Sequence, residues 1–153
     1  MADKKVKSAR VVAVQVLNRC DPEKNYAGPV LDKLLHRTEQ RQRATDLVFG
    51  TMRNRRAIDT VIATFSGRPV QRISPHLLNI IRVGVYELVY APATEEYAIV
   101  NEVVEYTNAV TGKRQAGFVN AVLRQVLRHI SNRQVPIEQA NARRTLPHTL
   151  TTG

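Results

Sequence analysis

Apolar positions recur along this chain at helical spacing, and the densest such stretch, Ser74 to Tyr90, reads SPHLLNIIRVGVYELVY. Leu77, Ile81, Val85 and Leu88 follow one helical face, while Leu78, Ile80, Val83, Val89 and Tyr90 extend the apolar surface most of the way round. A helix apolar over so much of its circumference is a buried one, so this stretch is expected to be the hub of the fold. Ser74 suits the capping position, and Pro75 suits the first helical position, where its missing N–H is not needed. Arg82 and Glu87 interrupt the run, which also falls short of the about 20 apolar residues that span a bilayer. Gly84 in mid-helix costs roughly 1 kcal/mol against Ala, which points to the close approach of another backbone.

The same periodicity predicts the other elements. A first helix begins near Ser8 with Val11, Val12, Val14, Val16 and Leu17, and Asp21 with Pro22 stops it. Val12, Val14 and Val16 also fit a strand, but no other convincing strand exists for it to pair with. A short helix fits Gly28 to His36. From Glu39 to Phe65, Ala44, Leu47, Val48, Met52, Ile58, Val61, Ile62 and Phe65 keep near-helical spacing in one long element that Gly50 is placed to bend. Gly67, Arg68 and Pro69 end it. After Pro92, Thr94 with Glu95 and Glu96 forms the start of a helix carrying Ala98, Ile99, Val103 and Val104. The last patterned helix runs from about Arg114 to Ile130.

These elements make an all-α protein of six helices with short connections, most naturally two small bundles sharing the central buried helix. Residues 1–7 read as a basic N-terminal arm, 8–131 as the helical domain and 132–153 as a loosely ordered tail or linker. Asn101 and Asn120 each sit inside an apolar run and are expected to tie loops or facing helices together.

Charge changes the picture more than composition does. Lys and Arg number 23 against 13 Asp and Glu, and the net charge of +10 favours a polyanionic partner, with nucleic acid ahead of an acidic membrane surface. No amphipathic segment combines a basic face with bulky aromatic anchors, so no membrane partner is expected. One cysteine, Cys20, excludes an intramolecular disulfide framework and suits the cytoplasm. Arg19 beside it would lower its pKa, but a lone cysteine is not proposed as a nucleophile.

Catalytic signatures are not found. His36, His76, His129 and His148 lack ligand spacing, so no metal is expected, and no Gly-rich nucleotide loop or nucleophile motif occurs. No cofactor is implied. Two basic clusters are instead candidate RNA-facing surfaces: Lys4, Lys5, Lys7 and Arg10 at the N-terminus, and Lys113, Arg114, Arg124 and Arg128 along the last helix. Phe118 is either a stacking platform for a base or a core residue. Arg53, Arg55 and Arg56 scatter around their helix and read as solvated charges. Glu95, Glu96, Glu102 and Glu105 form an acidic segment suited to a basic protein partner.

Several strings, in order and spacing, resemble the NusB family of RNA-binding transcription factors. They are Ala9-Arg10 with Ala13-Val14-Gln15 and Leu17, Arg82-Val83-Gly84-Val85-Tyr86-Glu87-Leu88, Val100-Asn101-Glu102, and Phe118-Val119-Asn120-Ala121-Val122-Leu123. The resemblance covers about Ser8 to Ile130. It implies two three-helix bundles that bind boxA-type RNA of ribosomal RNA leaders with the ribosomal protein NusE, within a transcription elongation complex. Carried over by position, the RNA surface would use the basic N-terminus with Arg10 and the start of the last helix around Arg114 and Phe118. Asn18 departs from the aromatic found in some members. Leu47-Val48-Phe49-Gly50-Thr51-Met52-Arg53 and Gly117-Phe118-Val119-Asn120-Ala121-Val122-Leu123-Arg124 look even more like the NusB-like domain of RsmB-type ribosomal RNA cytosine methyltransferases. There a separate C-terminal domain uses S-adenosylmethionine, and this chain has neither a Gly-rich cofactor loop nor a second cysteine to supply it. The expectation is a non-catalytic RNA-binding protein of antitermination or ribosomal RNA synthesis. The alternative is the RNA-targeting part of such a methyltransferase.

Overall fold

The computed structural model describes residues 6–20 and 27–132, and all regular structure among them is helical. The chain divides between Arg53 and Asn54 into two compact units. The first holds α1 (Ala9–Arg19), α2 (Ala27–Leu34), a 3₁₀ turn (Leu35–Arg37) and α3 (Arg41–Arg53). The second holds α4 (Arg55–Ser66), a 3₁₀ turn (Val70–Arg72), α5 (Pro75–Val89), α6 (Glu96–Thr111) and α7 (Lys113–Asn132). The all-α expectation holds, with three helices in one unit and four in the other.

In the first unit Ser8 caps α1, its Oγ accepting from the Val11 N–H at 3.2 Å. Ala9, Val12, Ala13, Val14 and Val16 are buried, a helical set that settles the ambiguity between helix and strand. α1 packs on α2 and α3. The segment before it is tied down: the Lys7 N–H donates to the Arg37 carbonyl at 2.8 Å, and the Ala9 N–H donates to Gln40 Oε1 at 3.1 Å. Arg37 in turn donates through Nη1 to Gln15 Oε1 at 2.9 Å.

The single long element expected from Glu39 to Phe65 is two helices. The break falls at Asn54 (φ −107°, ψ 17°), whereas Gly50 lies buried within α3 and bends nothing away. Between Met52 and Ile58 the chain supplies Arg53, Asn54, Arg55, Arg56 and Ala57, with no large apolar side chain to hold a continuous helix against a core.

In the second unit α5 is the buried hub, and only Pro75, His76 and Arg82 of its residues escape burial. It packs against α4, α6 and α7. Pro75 takes the first turn as expected, but Ser74 makes no side-chain cap and contributes its carbonyl to the Leu78 N–H at 2.8 Å. Arg82 is no mere interruption. Its Nε and Nη2 donate to the two carboxylate oxygens of Asp59 on α4 at 2.8 and 2.9 Å, and its Nη1 donates to Asn79 Oδ1 at 3.0 Å.

Side chains, not a backbone, crowd Gly84. A Cβ there would lie 3.2 Å from Leu123 Cδ1 and 3.6 Å from Val103 Cγ1, and both neighbours are fully buried. Gly84→Val is therefore expected to destabilise the fold by about 2 kcal/mol, because the branched side chain overpacks α5 against α6 and α7. The midpoint of urea unfolding measures it, and an unchanged midpoint would show that Leu123 yields freely. Gly67 (φ 70°) ends α4, and Gly112 (φ 106°) turns the chain from α6 into α7.

Candidate nucleic-acid interface

α7 separates apolar from basic residues cleanly. Ala116, Val119, Val122, Leu123, Val126, Leu127 and Ile130 are buried, while Lys113, Arg114, Gly117, Ala121, Arg124, Gln125 and Arg128 are exposed. At 3.6 residues per turn the exposed set and Phe118 fall within an arc of about 140°. All charged residues on that face are cations. Arg124 is held in place by its own helix, its Nε donating to Asn120 Oδ1 at 3.0 Å. This corrects the expected role of the two asparagines: Asn101 is exposed, and the described bond of Asn120 reaches one turn along α7 rather than to a facing helix.

Phe118 is neither core nor bare platform. It is half-buried, and the guanidinium of exposed Arg68 lies over its ring, 4.4 Å from the centroid. A guanidinium plane on an aromatic face is a cation–π contact and itself a surface on which a base can stack. Sequence reasoning passed over Arg68, treating it only as part of a helix-ending turn. Nothing in local spacing announces a contact between residues fifty positions apart.

Of the N-terminal cluster, Lys4 and Lys5 lie outside the described residues. Lys7 is half-buried beside the start of α1, with its backbone fixed as above, and Arg10 is half-buried in the first turn of α1. Lys7 and Arg10 belong to the first unit, and Lys113, Arg114 and Phe118 to the second. The mid-chain arginines divide at the helix break: Arg53 ends α3, while Arg55 and Arg56 begin α4, so they share no helix face.

The acidic segment lies at the start and on the outer side of α6. Glu95, not Thr94, is the N-cap, and its carbonyl accepts from the Ala98 and Ile99 N–H groups at 3.0 and 3.1 Å. Glu96 is half-buried in the first turn, and Glu102 and Glu105 are exposed. Among the described residues no group of three or more His, Cys, Asp or Glu is arranged to hold a metal ion. His129 packs its ring against Phe65 at 5.6 Å, so it is partly enclosed rather than a surface residue. No described helix is long and apolar enough to cross a membrane.

Cys20 departs from expectation. Burial pushes its thiol up from the ordinary value and outweighs any lowering by Arg19. A raised pKa leaves less thiolate at neutral pH, so Cys20 is expected to react with iodoacetamide more slowly than free cysteine, with a rate still climbing where free cysteine has levelled off. A pH–rate profile checks this, and equal profiles would exclude it.

The NusB family model matches residues 7–128, which takes in every described helix except the end of α7. The chain belongs to the NusB family. Among its relatives, a transcription antitermination protein NusB of Bradyrhizobium sp. (strain BTAi1) is 30% identical, over 79% of this chain and 80% of the relative. A probable ribosomal RNA small subunit methyltransferase B of Bacillus subtilis is 29% identical over 79% of this chain, and a putative methyltransferase of Mycobacterium tuberculosis is 35% identical over 77%. This NusB-family chain spans only 28% and 26% of the lengths of those two methyltransferases.

Proposed function

We propose that this NusB-family chain is a non-catalytic binder of single-stranded RNA in ribosomal RNA synthesis, acting in transcription antitermination on boxA-type RNA together with NusE. The observation that carries the reading is the exposed face of α7, where four cations and the Arg68–Phe118 stack stand without an acidic residue among them. Phosphates would neutralise Lys113, Arg114, Arg124 and Arg128, and a base would stack on the guanidinium–phenyl pair. Lys7 and Arg10, with Lys4 and Lys5 before them, would supply a second set of phosphate contacts from the first unit. The acids Glu95, Glu96, Glu102 and Glu105 repel RNA and suit the basic protein partner. The chain needs no cofactor in this role, and the work is done in the cytoplasm.

A second reading is favoured by the two methyltransferase relatives, one of them named for small-subunit ribosomal RNA, whose matching segments cover more than three quarters of this chain. In that role the same face delivers ribosomal RNA to a methyltransferase centre outside these residues. Fluorescence anisotropy with labelled boxA RNA and a scrambled strand of equal length, across salt concentrations, with and without NusE, separates the readings. A boxA preference increased by NusE supports antitermination. Equal and steeply salt-dependent binding to both strands supports the second role, and no binding overturns both.

A further inference from the structure

The later turns of α7 border a hollow that the basic clusters alone do not announce. Tyr97, Arg124, Leu127 and Arg128 line a hollow of about 320 Å³ between the start of α6 and the later turns of α7, a size at the low end of small-ligand sites. Tyr97 is 66% exposed, the largest exposure of any described aromatic side chain. Among the described residues neither Tyr97 nor Arg128 has a hydrogen-bond or ionic partner, and Arg124 is oriented by Asn120 through Nε alone. Leu127 is buried to within 6% and forms an apolar floor. An exposed, unpartnered ring, two cations on adjacent turns and an apolar floor make a complete set for one nucleotide: ring for base, guanidinium for phosphate.

We propose that this hollow is a nucleotide subsite for single-stranded RNA, separate from the one at Phe118, in which a base stacks on Tyr97 and the flanking phosphates lie on Arg124 and Arg128. The inference rests on the RNA-binding reading above. Charge decides the occupant. Arg124 and Arg128 continue the cationic stripe that begins at Lys113 and Arg114, and adjacent turns of a helix present charges about 6 Å apart, comparable to one nucleotide step of an extended strand. On its other side Tyr97 borders a second hollow lined by Pro92, Ala93, Thr94, Glu95 and Glu96. Those carboxylates push phosphate away, so the backbone must run on the arginine side of the ring.

The experiment compares the full chain with Tyr97→Ala, Tyr97→Phe and the double variant Arg124→Ala/Arg128→Ala, using a short unstructured labelled RNA and the same strand made abasic. All three positions are exposed, so the variants are expected to keep their helix content, which circular dichroism checks. Tyr97→Ala is expected to weaken binding about tenfold, Tyr97→Phe to retain it, and the abasic strand to be indifferent to Tyr97. The double variant should lower the slope of log affinity against log salt by about 1.4. Unchanged binding by these variants while Arg114→Ala weakens it would overturn the subsite and leave the RNA reading standing. Equal loss on the abasic strand would also overturn it, because Tyr97 would then not be stacking. With poly-glutamate as a third probe, variants that lose its binding but keep RNA binding would overturn the subsite and assign the hollow to an acidic protein partner, and failure of the unaltered chain to bind RNA would remove both proposals.

Discussion

Replacing Arg82 by Ala is expected to lower the free energy of unfolding by about 3–4 kcal/mol, the range for removing one partner of a buried ion pair. The side chains of Arg82 and Asp59 are 15% and 20% exposed, so water screens them far less than a surface pair. The geometry is bidentate, with a third bond to Asn79, and it joins α4 to the hub helix. Ala would leave the Asp59 carboxylate enclosed without its cation, and that uncompensated charge, more than the lost attraction, accounts for most of the effect. Two further variants separate these causes. Arg82→Met keeps the apolar stem yet should be nearly as damaging, whereas Arg82→Met with Asp59→Leu should recover much of the loss. Urea unfolding followed by circular dichroism gives all three values. A cost under about 1 kcal/mol for Arg82→Ala would mean that the pair behaves as an exposed one.

That pair also shows where reading the chain alone runs out. Arg82 looked like a flaw in an apolar run because its partner lies 23 positions away on another helix, and periodicity carries no information about which polar residues meet. Local signals fared better where the physics is local. Ser8 caps α1, Pro75 opens α5, and the near-continuous apolar surface of α5 does mean burial. Thr94 and Ser74 were plausible caps by residue type, yet neither side chain closes a helix, since the choice of cap depends on backbone angles that type does not fix. The break at Asn54 had a visible sign, the polar run between Met52 and Ile58, which the persistence of spacing on either side concealed. Phe118 was split evenly between core and platform, and the answer, a half-covered ring under Arg68, belonged to neither choice. Tyr97 had a signal that went unused: it falls outside the apolar stripe of Ile99 and Val103, so it had no place in the core.

Reversing the charge of the first two residues of α7, Lys113→Glu with Arg114→Glu, is expected to weaken RNA binding about 100-fold, close to 3 kcal/mol, while making the protein slightly more stable. The opposite signs are the point of the experiment. The first turn of α7 contains no acidic residue, and cations there oppose the positive end of the helix dipole, at a cost of roughly 0.3–1 kcal/mol each. Both side chains are exposed, so packing does not recover that cost. Glutamates would relieve it and so raise the unfolding midpoint. On the RNA side, reversal removes two phosphate contacts and adds two repulsions, and the salt slope should fall by about 1.4. Lys113→Gln with Arg114→Gln should lie between, losing the contacts without the repulsion. If affinity holds while stability rises, these cations are ordinary solvated charges and the RNA path does not cross the start of α7. If affinity falls and stability rises together, then folding alone would be better served by other residues at both positions, and the cations there act on the RNA.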